Sequence, residues 1–345
     1  MRELRWLTWL PVGLMGGLLL LSVLLPEVVR AAALPIAVAG ALVGIPHGAV
    51  DHLLPAWWAC APAATRSRSS FAASARLGLF VISYAAVASA ALAALLVLPT
   101  PTLLAFLVLS AAHFGRGDVV TSAERGGRPV PTAWADWPVA LAHGLAVVGL
   151  LLWARPESTN PYLRPLSSPL AHLATVSRGP GLLLVGLAVA GGAIALLGAG
   201  RLLELAELLL LAATFSLVPP MAAFGIYFGG WHALRHTARL LDLARGSLPT
   251  SRSGPPVGSG WGPAAARLGR SAALPTLAAL AAVGVLWETR DLAGIQAEVG
   301  VLLALTFPHA AVVLALDRRS VPPTRAAVRR HVDDGGTGRH GLELT

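Results

Sequence analysis

The chain has 345 residues, of which 55% are hydrophobic and only 12% are charged, and its formal net charge is +9. Soluble globular domains carry about a quarter charged residues, so this composition excludes an ordinary soluble protein and indicates a chain that lies in a lipid bilayer. The positive charge does not indicate nucleic-acid binding, because the arginines are spread over short connecting segments and the C-terminal tail, as membrane topology requires. Cys60 is the only cysteine, which excludes an intrachain disulfide and a thiolate metal site.

The first apolar stretch could be mistaken for a signal peptide, since Arg2 and Arg5 precede it. No clear small-residue cleavage site follows Pro26, and many more apolar stretches come after it. We therefore interpret residues 6–25 as a retained first helix.

Ten stretches approach the length of about 20 apolar residues that a helix needs to cross the hydrocarbon layer. They lie near residues 6–25, 31–54, 77–98, 102–115, 134–153, 181–199, 202–218, 221–240, 271–287 and 299–316. The fourth and seventh are short, so we predict an all-α polytopic membrane protein with about eight to ten transmembrane helices. Residues 1–320 would form one transmembrane domain with a flexible cytoplasmic loop near 245–263, followed by a disordered basic tail at 321–345.

The distribution of arginines predicts the orientation, because cytoplasmic loops are enriched in Arg. With ten helices, both termini and the connections 55–76, 116–133 and 240–270 lie on the cytoplasmic side of the cell (inner) membrane. The connection 154–180, which also carries arginines, fits poorly because it would lie outside.

Five histidines lie within or at the ends of apolar stretches: His47, His113, His232, His236 and His309. An imidazole in hydrocarbon is costly unless its nitrogens are bonded, so several of them in one membrane protein favour a shared metal or a proton path. All five fall on helices that run from outside to inside, and all but His309 lie towards the inner end. We therefore expect a histidine-bound metal site inside the bundle.

The most specific local pattern is the pair His232 and His236, which one helical turn places on the same face. A chance pair with a structural role is the alternative. His47 follows Pro46 and precedes Gly48, which suggests a kinked or broken helix. Asp51, four residues after His47, could accept a proton from its distal nitrogen, as the carboxylate partners of metal-bound imidazoles do.

His113 begins the sequence HFGRGD, in which Gly115 and Gly117 allow a sharp turn that would leave Asp118 near the same depth. His309 follows Pro308 and is as consistent with a packed core histidine as with a ligand. We interpret the remaining histidines as structural or without chemistry: His52, His143, His172, His331 and His340.

The motifs GIPHGAVDH, HFGRGD, YFGGWHALRH and FPHAAVV resemble, in this order, those of the Brp/Blh family of membrane-integral bacterial and archaeal β-carotene 15,15′-dioxygenases. The resemblance implies cleavage of β-carotene by Fe(2+) and O2 into two molecules of retinal, and a functional link to a retinal-binding rhodopsin. It implies four iron ligands: His47, His113, His232 and His236. Asp51, Asp118 and His309 would then support the ligands or contact the substrate.

Aromatic side chains near these histidines could line a tunnel for the polyene. Phe224 and Phe228 precede His232 by two turns and one turn of helix, and Phe114, Trp231 and Phe307 adjoin other candidate ligands. Ordinary packing is the alternative for each of them.

Three other classes of function remain open at this stage. Histidines on several helices could hold haem, although haem ligation would not explain why His232 and His236 lie one turn apart on the same helix. Membrane desaturases use several HxxxH or HxxHH boxes, whereas this chain has one. A metal or proton transporter would also use intramembrane His and Asp. The apolar stretches contain few acidic residues and the sequence shows no internal repeat, which argues against a transporter.

Overall fold

The computed structural model describes residues 5–54, 70–131, 136–246, 261–288 and 295–319, and all regular secondary structure in these ranges is helical. The first half contains α1 (Arg5–Leu24), α2 (Pro26–Ala31), α3 (Ala33–Gly48), α4 (Ser70–Val97) and α5 (Pro99–Arg125), with a 3₁₀ turn at Asp51–Leu53. The all-α class predicted from the sequence is confirmed.

The second half continues with helices of more varied length. These are α6 (Trp137–Trp153), α7 (Pro156–Leu163), α8 (Ser168–Val176), α9 (Arg178–Gly198), α10 (Leu202–Leu217), α11 (residues 220–246), α12 (Trp261–Glu288) and α13 (Ile295–Arg319). The helix α11 is π-helical in its middle, at Ile226–Ala233. Such widened turns often occur at functional sites.

Each of the ten predicted apolar segments contains a helix. Five helices of the described ranges are long and apolar enough to cross a membrane, or six if α6 and α7, which meet at 84°, form one broken span. The five are Ala33–Leu53, Ser74–Val97, Pro99–Arg125, Arg178–Gly198 and Gly300–Arg318. The predicted number is larger because α10 has only 16 residues and the second half of α11 carries several arginines.

The outer faces of these helices are apolar, as a lipid environment requires. Large hydrophobic side chains such as Ile82, Val108 and Ile194 are exposed by about two thirds or more of their surface, at 68%, 71% and 70%. Charged groups lie inside instead, since Asp118, Glu207 and Arg235 are among the buried side chains. The bundle therefore has an apolar outer surface, and its buried charged groups lie among apolar core clusters.

Glycines bring α3 and α11 into close contact. A Cβ atom on Gly40 would overlap the backbone of Gly225, one on Gly229 would overlap the backbone of Gly40, and one on Gly44 would overlap the Phe228 ring. Both helices thus carry two glycines four residues apart, the spacing that lets membrane helices approach closely. This contact lies one turn before a candidate ligand on each helix.

The sharp turn expected at Gly115 and Gly117 is wrong. The helix α5 continues without a break from Pro99 to Arg125, well beyond the predicted segment 102–115. Gly115 instead allows close packing, because a Cβ there would overlap the carbonyl of Ala140 on α6. Tertiary contact, which the local sequence does not report, explains this glycine.

The expected connection at 154–180 is also largely helical, since α7 and α8 occupy most of it. Ser167 caps α8 by accepting a hydrogen bond from the backbone N–H of Leu170 at 3.2 Å. The predicted loop at 245–263 lies outside the described residues, except where Gly246 ends α11 and Trp261 begins α12. The predicted tail at 321–345 lies outside them entirely.

Candidate metal centre

Five buried histidines from four helices meet inside the bundle. His47 lies at the end of α3, His113 in α5, His232 and His236 in α11, and His309 in α13. The four histidines named from the sequence as ligands are thus brought together. His309, expected at a different depth, joins them, with its ring centroid 4.9 Å from that of His47 and 5.2 Å from that of His113.

The spacing of the imidazole nitrogens suits a metal ion. One nitrogen each from His47, His232 and His309 lies within 4.8 Å of the others, and the Nε2 atoms of His113 and His232 are 3.2 Å apart. The ring of His236 lies 5.6 Å from that of His47 and 5.7 Å from that of His309, between centroids. Since metal–imidazole bonds are about 2.0–2.1 Å long, small side-chain adjustments would let one ion contact several of these rings.

Two of the nitrogens lack a hydrogen-bond partner in the described part of the chain. These are Nε2 of His236 and Nε2 of His309, both fully enclosed. A buried polar atom without a partner costs about 1–3 kcal/mol. A bound metal would remove that cost, because each nitrogen would donate its lone pair to the ion. The donor set of imidazoles alone suits iron, zinc or copper.

The helix α11 presents its two histidines on one face. The rings of His232 and His236 are nearly parallel, with an interplanar angle of 7° and centroids 6.5 Å apart. His232 belongs to the π-helical segment and follows Gly229 by three residues, while His47 follows Gly44 by three residues. The glycine contact between α3 and α11 therefore places His47 and His232 opposite each other.

Asp51 does not bond to His47, contrary to the sequence expectation. The Nδ1 atom of His47 faces the carbonyl of Gly44, while Oδ2 of Asp51 lies 2.9 Å from Nδ1 of His309 and accepts a hydrogen bond from the Tyr84 hydroxyl at 3.1 Å. The reason is that α3 ends at Gly48 and Asp51 begins a 3₁₀ turn, so helical i,i+4 geometry does not apply.

Asp118 lies beside the cluster but bonds to other partners. It accepts a hydrogen bond from the indole N–H of Trp231 at 2.8 Å, and Arg235 lies 3.4 Å away. Arg235 also pairs with Glu207 at 2.9 Å, and its guanidinium lies over the Trp231 ring. A buried carboxylate requires such compensation. Asp118 therefore orders the packing of α5 against α11.

A second buried ion cluster lies next to the first. Arg239 pairs with Glu124 at 2.8 Å and with Asp317 at 2.9 Å, and Arg116 lies 3.6 Å from Asp317. These contacts join α5, α11 and α13. At the beginning of α10, where Arg201 precedes the helix, a hydrogen bond to Glu204 raises the pKa of the Arg201 guanidinium, so this arginine stays charged.

These arginines were not among the site residues predicted from the sequence, although their spacing contains a signal. His232, Arg235, His236 and Arg239 stand at positions i, i+3, i+4 and i+7, which share one face of a helix. Because these arginines share a helical face with the candidate ligands, the sequence pattern predicts that they point into the interior of the bundle. A small cavity touches both the histidines and the ion clusters, and it is lined by His113, Gly117, Asp118, Thr121, His232, Arg235, His236, Arg239 and Val313.

The aromatic residues named as tunnel candidates occupy four different surroundings. Phe228 contacts the His47 ring edge-on at 5.6 Å and stacks on Phe224 at 5.8 Å, between centroids. Phe114 contacts His232 at 4.9 Å. Trp231 is fully buried in the ion cluster of Asp118.

The ring of Phe307 lies 6.5 Å from that of Phe106, between centroids. Within the described residues, it makes no ring contact with a candidate ligand. Two of the histidines interpreted as structural contact backbone carbonyls. The ring of His143 bonds the carbonyl of Val139 at 2.9 Å, and that of His52 bonds the carbonyl of Ala49 at 3.0 Å. His331 and His340 lie outside the described residues.

Comparison with known proteins identifies the family of this chain. The family model described as β-carotene 15,15′-dioxygenase matches residues 38–317, a range that contains all five clustered histidines. A curated relative, "Probable beta-carotene 15,15′-dioxygenase Blh" of Halobacterium salinarum, is 30% identical over 309 residues, which cover 82% of this chain and 84% of the relative. No solved structure matches the chain. The chain therefore belongs to the β-carotene 15,15′-dioxygenase family of carotenoid-cleaving enzymes.

Proposed function

We propose that this protein cleaves β-carotene at its central 15,15′ double bond, with O2 and Fe(2+), to give two molecules of retinal. The observation that carries the proposal is the meeting of five buried imidazoles from four helices in a bundle with an apolar outer surface. Four of them were named as iron ligands from sequence: His47, His113, His232 and His236.

Neutral imidazoles suit this chemistry. They leave the charge of Fe(2+) uncompensated and leave coordination positions open. Bound iron supplies the one-electron chemistry that dioxygen requires to react with an alkene. The reaction breaks the central carbon–carbon bond and the bond between the two oxygen atoms, and each new aldehyde receives one oxygen.

The protein side chains orient the candidate ligands and determine from which side the substrate can reach them. The Gly44 carbonyl lies against Nδ1 of His47, so that proton faces the backbone and Nε2 keeps its lone pair for the metal. On one side of the cluster lie the buried charges of Asp118, Arg235 and Arg239. Placing a hydrocarbon polyene against these charges would cost free energy of solvation. We therefore expect the substrate to approach the histidine cluster from a side that carries no buried charge.

The approach favoured by the contacts is along Phe224 and Phe228. Both rings are half-buried, and Phe228 touches the His47 and His232 rings. β-Carotene is about as long as the hydrocarbon layer is thick, roughly 30 Å, and it dissolves in lipid. Entry from the bilayer past these phenylalanines would bring the middle of the polyene to the histidines. Trp231 and Phe307 have weaker support as tunnel residues.

The competing haem hypothesis fits the site poorly. A porphyrin with two axial histidines needs an open slot between their rings. Here His113 and His232 approach to 3.2 Å between Nε2 atoms, and His236 and His309 lie close to His47. Rings packed this tightly leave space for an ion but not for a macrocycle.

We further propose that the enzyme acts in the cell (inner) membrane with both termini in the cytoplasm, and that its retinal serves a retinal-binding rhodopsin. The excess of arginine in the connections assigned to the inside supports the orientation.

The test is expression in a β-carotene-accumulating bacterial host, with retinal and residual β-carotene measured by chromatography. We expect retinal from the parent and a loss of at least about 100-fold in single His47, His113, His232 and His236 to Ala variants. His143→Gln is the matched control, because this buried histidine bonds a carbonyl outside the cluster. Folded, iron-loaded parent protein that makes no retinal would refute the proposal.

A further inference from the structure

Asp51 is a buried carboxylate with unusual partners. Its side chain is almost fully enclosed, and its Oδ2 atom contacts Nδ1 of His309 at 2.9 Å and the Tyr84 hydroxyl at 3.1 Å. Tyr84 lies on α4, Asp51 in the turn after α3, and His309 on α13. Three separate elements therefore meet at this carboxylate, immediately beside the histidine cluster.

The charge of Asp51 is not balanced by an arginine in the described ranges. The other buried acids nearby each contact one: Asp118 and Glu207 contact Arg235, and Asp317 contacts Arg239. A buried carboxylate without a cation is strongly disfavoured. Among the described residues, the basic side chain that contacts Asp51 is that of His309, so a metal ion bound by His309 would supply positive charge next to this carboxylate.

The hydrogen bond to Asp51 determines which nitrogen of His309 carries the proton. A carboxylate only accepts hydrogen bonds, so Nδ1 of His309 donates and its Nε2 keeps a free lone pair. That Nε2 atom is enclosed and has no partner in the described structure. The imidazole offers a nitrogen within 4.8 Å of nitrogens of His47 and His232. An enclosed imidazole nitrogen without a hydrogen-bond partner, on a ring that lies within the histidine cluster, has the properties of a metal ligand.

We propose that His309 is a fifth protein ligand of the metal, and that Asp51 and Tyr84 are positioning residues that orient its ring and fix its proton on Nδ1. The inference rests on the proposed metal site and adds one ligand to the four assigned from sequence. A carboxylate behind a metal-bound imidazole also raises its basicity as a ligand.

The experiment compares metal binding by the full chain in detergent, with Fe(II) under anaerobic conditions and with Co(II) as a redox-stable probe. Affinity is measured by competition with a chelator, and the Co(II) ligand-field absorption reports the coordination. Removing the hydrogen-bond partner of a metal-bound side chain typically costs about 10–100-fold in metal affinity. We expect His309→Gln and Asp51→Asn each to weaken binding by at least about 10-fold, and Tyr84→Phe by less.

The spectrum separates the two roles. His309→Gln removes an imidazole and should change the Co(II) ligand-field bands, whereas Asp51→Asn should retain their pattern. His52→Gln is the matched control, because it neighbours Asp51 in sequence while its ring bonds only the Ala49 carbonyl among the described residues. This variant should keep the affinity and spectrum of the parent.

The results distinguish this inference from the proposed function. If the parent makes retinal and binds iron, but His309→Gln and Asp51→Asn keep the parental affinity and Co(II) spectrum, the inference is overturned and the proposed function stands. If the parent binds metal through His309 but makes no retinal, the proposed function alone fails. Should His309→Gln not fold, Asp51→Asn and Tyr84→Phe decide, because parental metal affinity in both would overturn the inference.

Discussion

Replacing Gly40 by Ala would separate the two helices that carry opposing ligands. A Cβ atom at this position would lie 2.5 Å from the carbonyl carbon and 2.7 Å from the Cα of Gly225. Carbon atoms in ordinary contact are about 3.5–4.0 Å apart. The helices α3 and α11 must therefore move apart by about 1 Å, since both contacting groups are backbone and cannot rotate away.

This displacement is transmitted to the metal site through rigid helix. His47 lies two turns after Gly40, and His232 lies two turns after Gly225. Overpacking of this kind costs about 1–3 kcal/mol of folding free energy, and a 1 Å misplacement at a reaction centre can cost about 100-fold in rate. We expect the Gly40→Ala variant to fold, to bind the metal more weakly and to produce about 10–100-fold less retinal than the parent.

The assay measures retinal formed per amount of purified protein, together with metal content and thermal unfolding in detergent. Gly78→Ala is the control, because no heavy atom lies within 4 Å of a Cβ at that position and its residue faces outwards on α4. Parental metal content and parental rate in Gly40→Ala would refute the argument that this glycine contact positions the ligands.

Three further predictions follow from the surroundings of the site. Asp118→Asn should lower the free energy of unfolding by about 3 kcal/mol, because Arg235 loses one of two buried carboxylates. Metal content per folded molecule should stay near the parent's, and a large metal loss at unchanged thermal stability would contradict this assignment. Phe228→Ala should raise KM for β-carotene several-fold while leaving bound metal nearly unchanged, and an unaltered KM would count against the approach along Phe224 and Phe228. Treatment with a strong iron chelator should abolish retinal formation, and added Fe(II) but not Mg(II) should restore it, since imidazoles bind Mg(II) weakly.

Much of the secondary structure could be predicted, because lipid imposes a strong local rule. Each apolar stretch of sufficient length must satisfy its backbone hydrogen bonds internally, and every one of the ten predicted segments contains a helix. The ends were less predictable. Gly115 and Gly117 suggest a turn within HFGRGD, yet both lie inside a continuous helix. Tertiary contacts outweigh their low helix propensity, since Gly115 packs against α6 and Gly117 faces the His232 ring of α11.

The sequence alone determined the membrane class, the all-α architecture and the set of histidines placed in apolar surroundings. These properties depend on composition and on spacing along one helix, as for His232 and His236. Only the tertiary structure decided that Asp51 partners His309, which lies 258 positions away in the chain, and that His309 lies in the same cluster as His47. Such pairings depend on how separate helices cross. The close approach of Gly40 and Gly225 determines where α3 and α11 cross, and this contact joins two helices that are far apart in the sequence.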